Sequence, residues 1–351
     1  MLISKKNVET NQSLDIGTGD YGHQLKIRAD KLVVILPTYK GTAEYDGIAG
    51  RLISISQKKW KRYKISLEFK RKEGKSHPYW KALIIRRKLD NKMLLRIDFE
   101  PRNKKTGAIR LEFGPQHMTP RELDMLLLWL AAHIGYNVLI TLLEDAWVTQ
   151  VDVALDIYGC RLHDYVWGMK RISKVSGYKK TYGLPGARLG SIRSPLHVLC
   201  YEKVDTVGYE SKVFREKRGM LDLELGDFPY FLRIEAKKKP GGKPGSKNHN
   251  WLMLRDLRCM DYPFERLQVY PENIWHFMEV ELSRENSPVR HTIAYYKNYS
   301  QKSPEKYWNS RKGKCFLEKR EITLFTKVQV WPFWPECVTR LGTILGWGGK
   351  S

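Results

Sequence analysis

Three segments of this sequence alternate apolar and polar residues as β-strands do, and their polar residues could act together on a phosphodiester. Successive side chains of a strand point to opposite faces of a sheet. In residues 148–157, Asp152 and Asp156 share one face, with only Ala154 between them. Two such carboxylates can hold a hard cation, Mg²⁺ or Mn²⁺, which would polarise a phosphate. A solvated strand face would show the same alternation.

The second segment, residues 196–203, places His197, Tyr201 and Lys203 on one face. A tyrosine can attack a phosphodiester, and the charge of Lys203 would stabilise the phenolate or hold the scissile phosphate. His197 could complete a metal site or carry a proton. A single histidine, or one tyrosine among 19, is more often a packing residue. The functional interpretation therefore depends on the face that these residues share.

The third segment, residues 231–237, places Arg233, Glu235 and Lys237 opposite a row of apolar residues. An acid between two cations is typical of a surface ion-pair ladder. In a functional site, Glu235 would be a third metal ligand or a general base. If the three strands pair with their polar faces aligned, the combined set suits metal-assisted attack of a tyrosine on a phosphodiester.

The overall charge indicates a polyanionic partner. The 351 residues carry a formal net charge of +24, with an isoelectric point near 9.7, which is a larger excess than solubility requires. We expect nucleic acid and no membrane, because no basic amphipathic helix accompanies a lipidation motif. An acidic strand face turned towards nucleic acid would be repulsive without a metal, which favours the functional interpretation of residues 148–157.

One basic stretch is the expected DNA-binding surface. From Tyr165 to Tyr201 the chain has no Asp or Glu, and its basic residues alternate with tyrosines and glycines, a composition that suits backbone contacts and base stacking on DNA. Tyr182 in this stretch is an alternative nucleophile. The expected DNA-binding residues are Lys170, Arg171, Lys174, Lys179, Lys180, Arg188, Arg193, Arg233 and Lys237.

Several other classes of protein are disfavoured. The five cysteines are scattered and form no CxxC pair, which argues against a zinc knuckle or disulfide framework and for a reducing cytoplasm. The sequence has no GxxxxGK[ST] phosphate-binding loop, so an ATP-driven motor is not expected. The apolar residues 125–143 approach the length of a membrane span, but an interruption at Gly135 predicts a buried helix followed by a second apolar segment.

The pattern of elements predicts an α+β fold with a mainly antiparallel central sheet and helices packed on one side. A Thr119-Pro120 start with Glu122 predicts a helix to about His133. We further expect helices over residues 162–172, 251–260 and 271–283, and a Gly-rich loop over 173–195. The predicted domains are a flexible N-terminus (1–24), a catalytic and DNA-binding α+β domain (25–240) and a C-terminal helical, basic region with an aromatic tail (251–351). Within the central domain, the similar order of elements in residues 25–147 and 148–240 suggests an internal duplication without a clear sequence repeat.

The three segments together resemble the replication initiators of rolling-circle plasmids and filamentous phages. Members of that family tend to show V-T-R-x-D-x-A-x-D, then G-S-R-x-S followed by Y-[DN]-K, then R-x-E. Here the matching stretches are VTQVDVALD (148–156), LGSIRSPLHVLCYEK (189–203) and LRIEAKK (232–238), in the same order. The resemblance covers about residues 90–240. Gln150 and Glu202 depart from the family pattern, and neither position is a proposed ligand.

The resemblance implies a metal-dependent enzyme that nicks a replication origin through a 5′-phosphotyrosyl intermediate. Tyr201 would be the nucleophile, Asp152, Asp156 and Glu235 the Mg²⁺ or Mn²⁺ ligands, and Lys203 and Arg233 the phosphate contacts. The partners would be origin DNA in single-stranded or hairpin form, and the helicase and replication machinery of a bacterial host, in whose cytoplasm the protein would act as a monomer or homodimer.

Two alternatives stay open. A non-catalytic origin- or operator-binding protein would use the same basic surface, and a structural RNA-binding protein would show no preference for an origin. A tyrosine recombinase is disfavoured, because the sequence lacks a helical Arg…His-x-x-Arg…Tyr arrangement.

Overall fold

The computed structural model describes residues 13–69, 78–103, 107–172, 175–179, 185–205, 229–247, 250–274, 276–277 and 311–345. The strands are β1 (Leu14–Thr18), β2 (Gln24–Leu36), β3 (Tyr63–Phe69), β4 (Tyr79–Arg87), β5 (Met93–Pro101), β6 (Ile109–Phe113), β7 (Trp147–Tyr158), β8 (Tyr165–Met169), β9 (Val175–Lys179), β10 (Pro185–Leu189), β11 (Leu196–Asp205), β12 (Tyr230–Lys238), β13 (Leu252–Met253) and β14 (Leu267–Pro271). The helices are α1 (Ala43–Ser56), α2 (Pro120–Ile134), α3 (Tyr136–Glu144), α4 (Arg311–Glu318), α5 (Lys327–Val330), α6 (Trp334–Thr339) and α7 (Gly342–Leu345). Short 3-10 turns lie at 115–117, 162–164, 254–259 and 331–333.

One large sheet dominates the described part of the chain. Its strand order is β3-β4-β5-β6-β2-β7-β12-β11-β10-β9, with β1 added beside β2 and β13 beside β7. Each of its described strand pairs is antiparallel. Strands β8 and β14 form a separate antiparallel pair. The predicted α+β class with a mainly antiparallel sheet is confirmed.

The sheet consists of two halves with the same strand connectivity. In the N-terminal half, β2 lies at the centre, and β3 to β6 then run in order from the outer edge back to β2. In the C-terminal half, β7 lies at the centre, and β9 to β12 run from the opposite edge back to β7. Because β2 and β7 are antiparallel neighbours, the connectivity of the two halves is related by an approximate twofold axis normal to the sheet.

The core lies on the apolar face of this sheet. Buried side chains of α1, α2, α3 and α6 share one hydrophobic cluster with residues of the central strands, such as Ile27 on β2 and Val153 on β7. Thr119 and Glu122 form the capping box that starts α2, which confirms the predicted helix start. Gly135, with a φ of 102°, separates α2 from α3, so the predicted interruption is confirmed and the second apolar segment is also helical.

The apolar residues 125–143, which approach the length of a membrane span, are divided between α2 and α3. Among the described residues, no single helix is long and apolar enough to cross a membrane. Helices α2 and α3 together have sufficient length and composition, but their axes differ by 120° across Gly135. Both helices bury most of their apolar residues in the core, while Leu128 and Tyr136 are exposed.

Three of the local predictions differ from the structure. The helix predicted over residues 162–172 is wrong, because this segment forms a 3-10 turn and β8. The spacing of Leu162, Val166 and Met169 imitates a helix, but β-branched and aromatic residues favour a strand once β14 is available as a partner. The loop predicted over 173–195 contains the hairpin of β9 and β10. Residues 251–260 form β13 and a 3-10 turn in place of the predicted helix.

Both ends of the described chain are structured. The prediction of a flexible N-terminus over residues 1–24 is wrong for residues 14–18, which form β1 and pair with β2. The aromatic tail forms short helices, and the fully buried Trp334 donates a hydrogen bond from its indole nitrogen to Leu257 O at 2.8 Å. In the segment predicted as a helix over 271–283, residues from 278 onward lie outside the described part.

Candidate active site

The polar faces of β7, β12 and β11 coincide in the C-terminal half. In the strand register, Asp156 lies opposite Arg233, and Arg233 lies opposite Tyr201. Lys237 lies opposite Asp152 on one side and opposite His197 on the other. Because paired residues of neighbouring strands point to the same face, the structure gathers the candidate residues of all three segments in one place.

The tyrosine and the glutamate are in direct contact. The Tyr201 hydroxyl donates a hydrogen bond to Glu235 Oε2 at 3.0 Å. Burial raises the pKa of Glu235, but the ion pair with Lys237, the hydrogen bonds from Lys237 and Tyr201 and the charge of Lys203 outweigh it, so the pKa is lowered overall. Glu235 is therefore an ionised acceptor on the phenolic proton, which is the arrangement of a nucleophile and its general base.

Lys237 bridges two carboxylates of the site. Its Nζ lies 2.8 Å from Asp152 Oδ2 and also forms an ion pair with Glu235 Oε1. Burial disfavours the charge of Lys237, yet Glu235 and Asp152 raise its pKa overall. Gln150 donates from Nε2 to the other oxygen of Asp152 at 2.8 Å. The ammonium group thus occupies the position between Asp152 and Glu235 where a bound cation would bring two carboxylates together.

Asp156 belongs to a different, buried network of arginines. Arg233 donates to both of its oxygens, at 2.6 and 2.9 Å, and Arg28 on β2 donates to Oδ2 as well. Arg233 also donates to Asp30 Oδ1 at 3.2 Å. The side chains of Arg28, Asp156 and Arg233 are each 1% exposed. In this arrangement Asp156 orients two guanidinium groups.

Arg28 and Asp30 are site residues that the sequence reasoning missed. Residues 25–30 alternate apolar and polar side chains, which is a signal for a strand, but nothing local indicates that this strand pairs with β7. Within the described residues, Arg28 Nε and Nη1 have no hydrogen-bond partner. Buried donors of this kind are costly unless they meet an acceptor, and at 1% exposure the Arg28 guanidinium lies inside the network around Asp156.

Asp30 and Lys203 face each other's charge across the site. The register of β2 against β7 shifts between Ala29 and Lys31, which leaves Asp30 in a bulge. Burial and the charge of Glu235 raise the pKa of Asp30 to about 7, against the influence of Lys203. Burial lowers the pKa of Lys203, which lies in a bulge of β11 with its Nζ 5.9 Å from the centre of the Tyr201 ring. A cation is therefore placed beside the phenol.

His197 is buried beside the bridged carboxylates. Burial, then the charges of Lys239 and Lys237, lowers its pKa to about 4, so the imidazole is neutral near pH 7. Among the described residues, His197 Nδ1 has no hydrogen-bond partner. A neutral imidazole with an unused nitrogen is the form that binds metals.

These donors fit a hard cation only in part. Asp152 Oδ2, Glu235 Oε1 and the unpartnered His197 nitrogen are suitable ligands if Lys237 moves aside. The predicted ligand Asp156 does not fit while two guanidinium groups bind its carboxylate. As the side chains stand, no group of three or more His, Cys, Asp or Glu residues in the described part of the chain is arranged to hold a metal.

The expected DNA-binding residues have separate positions. Arg188 lies on β10 opposite Leu199, next to the tyrosine strand, and its charge reaches His197. Lys170, Arg171 and Arg193 are exposed in turns, and Lys170 Nζ lies 3.8 Å from Glu321. Arg233 and Lys237 are inside the site. The remaining residues lie outside the described part or have undescribed side chains: Lys174, Lys179, Lys180 and Tyr182.

The contact between Tyr201 and Glu235 is the feature with most bearing on chemistry. No family model and no curated protein matches this chain.

Proposed function

We propose that this chain is a metal-dependent, origin-specific DNA nicking and strand-joining enzyme that initiates rolling-circle replication. The observation that carries the proposal is the 3.0 Å hydrogen bond from Tyr201 to the ionised Glu235, among the cations Lys203, Lys237 and Arg233. A nucleophile, an acceptor for its proton and positive charge for a phosphate are the requirements of the reaction. The net charge of +24 and the resemblance of three ordered segments support DNA as the substrate.

The residues have defined roles in the proposed reaction. Tyr201 Oη attacks the phosphorus atom while its proton passes to Glu235. The bond from phosphorus to the 3′-oxygen breaks, and that oxygen takes a proton from water to become the 3′-OH that primes synthesis. The 5′-phosphate stays on the tyrosine as a phosphodiester. Lys203 binds the non-bridging oxygens, where negative charge is concentrated.

The metal belongs to the proposal as well. Asp152 and Glu235 Oε1, with His197 beside them, would hold Mg²⁺ or Mn²⁺ in place of the Lys237 ammonium, while Glu235 Oε2 keeps its bond to Tyr201. A bound cation would offset the charge of the phosphate. Asp156 keeps Arg233 and Arg28 in position. The proposed partners are origin DNA in single-stranded or hairpin form and a host helicase with its replication machinery, in the bacterial cytoplasm.

The experiment is a nicking assay on DNA that carries the replicon's own origin. Supercoiled and single-stranded circles are incubated with Mn²⁺ or Mg²⁺, and the products are run on a denaturing gel with and without protease. We expect a nick with protein covalently attached to DNA, and mass spectrometry of the adduct should identify Tyr201. Tyr182→Phe is the matched control and should retain nicking. An adduct on Tyr182 would reassign the nucleophile.

A non-catalytic origin- or operator-binding protein is the second candidate. It is favoured by the complete pairing of Asp152, Asp156 and Glu235 with cations of the chain, a pattern that structural ion-pair networks also show. This candidate predicts origin binding without a nick for any metal or DNA form, and DNA affinity that does not change on Tyr201→Phe.

A further inference from the structure

A second basic surface lies on the N-terminal half, near the outer edge of the sheet. Residues 58–64 read KKWKRYK and contain no acid. The five cations of this run are exposed: Lys58, Lys59, Lys61, Arg62 and Lys64. The end of β4 adds Arg86, Arg87 and the following Lys88. Because successive residues of a strand face opposite ways, Lys64 and Arg86 point away from Tyr63 and Arg87. We call the other six cations, Lys58, Lys59, Lys61, Arg62, Arg87 and Lys88, the edge cleft.

The strand register brings the two basic runs together. Tyr63 lies opposite Arg87 and Lys64 opposite Arg86, and Lys88 N donates to Arg62 O at 3.1 Å. Between them is a cavity of about 600 Å³. Lys61, Arg62, Arg87 and Lys88 line it, with Glu122 as the one acid among its lining residues. The charged lining of this concave part of the edge cleft is thus almost entirely positive.

The nearby acids leave most of this charge uncompensated. Asp90 and Glu122 both pair with Arg87, at 3.0 and 3.4 Å. Among the described residues, no ion pair involves Lys58, Lys59, Lys61 or Arg62. Like charges held close together repel one another. A polyanion would relieve that repulsion.

The basic run is held firmly by the core. Trp60 donates from Nε1 to Ile55 O at 2.9 Å, and its ring packs edge-on to Trp129 with centroids 5.0 Å apart. Tyr63 also packs on Trp129, at 5.0 Å. The backbone that carries the cations is therefore ordered before any ligand arrives, which reduces the entropic cost of binding. These contacts partly bury Trp60 and Tyr63 while the cations around them stay exposed, so charge dominates the surface that the edge cleft presents.

Protection of an edge strand is the simpler explanation of lysines at a sheet edge. It would account for Lys64 on β3. It does not account for Lys58, Lys59, Lys61 and Arg62, which precede that strand, or for Arg87, which belongs to the next strand inward and faces the cavity.

We propose that the edge cleft binds the sugar-phosphate backbone of duplex DNA that flanks the nicking site. The identification of the polyanion as DNA rests on the proposed function. The charge and shape of the cleft are observed independently of it. Phosphate contacts need cations and no base stacking, which matches a surface dominated by exposed cations. The cavity is lined by Glu122 and Met125 of α2 and so lies on the helix-covered side of the sheet, whereas Tyr201 and Glu235 lie on the opposite, polar face. DNA that contacts both must therefore pass around the edge of the sheet.

The test compares two variants with the same charge change. The cleft variant is Lys58→Gln, Lys59→Gln, Lys61→Gln and Arg62→Gln. The control variant neutralises three lysines and one arginine that are exposed elsewhere: Arg311→Gln, Lys314→Gln, Lys319→Gln and Lys327→Gln. Fluorescence anisotropy measures the affinity for an origin hairpin with no flanking duplex and with about 20 base pairs of it, at several salt concentrations. Nicking of a short single-stranded oligonucleotide is measured in parallel.

We expect the cleft variant to lose about tenfold or more in affinity for the long substrate, with a salt dependence that falls by about 0.9 per lost phosphate contact. Its affinity for the short hairpin and its nicking of the oligonucleotide should equal those of the wild type. An equal loss in both variants, or an equal loss on both substrates, would overturn the proposal. If the wild type never nicks but the length-dependent loss appears, the edge cleft stands while the proposed nicking function fails.

Discussion

The two halves of the sheet place different residues at equivalent positions. Each half has an Arg-x-Glu strand beside its central strand: Arg110 and Glu112 on β6, and Arg233 and Glu235 on β12. On the next strand outward, the residue opposite the arginine is Asp98 in the N-terminal half and Tyr201 in the C-terminal half. The position of the candidate nucleophile is therefore occupied by an acid in the other half.

The central strands differ in the same way. The residue opposite the arginine is Ile35 on β2 but Asp156 on β7. In the N-terminal half, Arg96 and Arg110 both bind the fully buried Asp98, at 2.7 and 2.5 Å, and Glu112 pairs with Arg110 and Lys31. We call this ion-paired network the closed face; one of its buried donors, Arg96 Nη2, has no hydrogen-bond partner among the described residues. The C-terminal half also pairs its acids with cations, and it adds a tyrosine bonded to one of them and a buried His197 nitrogen without a partner in the described part of the chain. The two halves therefore differ mainly in the tyrosine and its acceptor.

The largest expected difference between the two halves is at Tyr201, which lies where the N-terminal half has Asp98. Tyr201→Phe removes the attacking oxygen and one hydrogen bond, so we expect complete loss of the covalent DNA adduct with nearly unchanged thermal stability and DNA affinity. Denaturing gels and thermal melts check this. If the adduct persists in Tyr201→Phe, the difference between the halves has no catalytic meaning.

Glu235 and Glu112 provide the matched test of the general base. Glu235→Gln keeps the shape of the side chain but cannot take up the phenolic proton, so single-turnover nicking should slow by about 10²- to 10⁴-fold. Glu112→Gln, at the equivalent position of the closed face, should leave the nicking rate unchanged. Equal rates for the two variants would remove Glu235 from the mechanism.

Asp98 should matter for stability and not for chemistry. Asp98→Asn leaves Arg96 and Arg110 without the charge that both bind, and breaking a buried ion pair on one side costs about 3–5 kcal/mol. Urea denaturation should show this loss, while the protein that remains folded at low temperature should nick at the wild-type rate. A stable Asp98→Asn protein would mean that the closed face contributes little to folding.

The alternation of residues was sufficient to predict the strands that form the candidate site. Residues 148–157, 196–203 and 231–237 are all strands, and their polar residues do share a face. The contribution of β2 could not be predicted, because the pairing of β2 with β7 joins residues more than a hundred positions apart and leaves no local signal. Bulges were equally hidden, and they determine where Asp30 and Lys203 lie.

The smallest expected effect concerns Asp30. Two arginines bind Asp98, and Asp30 lacks such a double pairing among the described residues. Burial raises its pKa from an ordinary 3.8 to about 7 in the folded protein. As the pH falls from about 7 towards 4, the folded state takes up a proton that the unfolded state does not, so this group adds stability at low pH and loses it as the pH rises through 7. Asp30→Asn should therefore be more stable relative to the wild type at pH 8 than at pH 5.

The free energy of unfolding in urea is measured for both proteins at pH 5 and at pH 8. The difference between variant and wild type at pH 5 is then subtracted from the difference at pH 8. This subtraction cancels the contribution of His197 and His117, which has the opposite pH dependence. Burial lowers the pKa of both to about 4, so the stability that they contribute is lost as the pH falls below their ordinary pKa of 6.5. A difference between variant and wild type that is the same at both pH values would contradict a pKa near 7 for Asp30. If the carboxylate is charged at both pH values, Lys203 and Arg233 compensate it fully, and the C-terminal half is as closed as the N-terminal one.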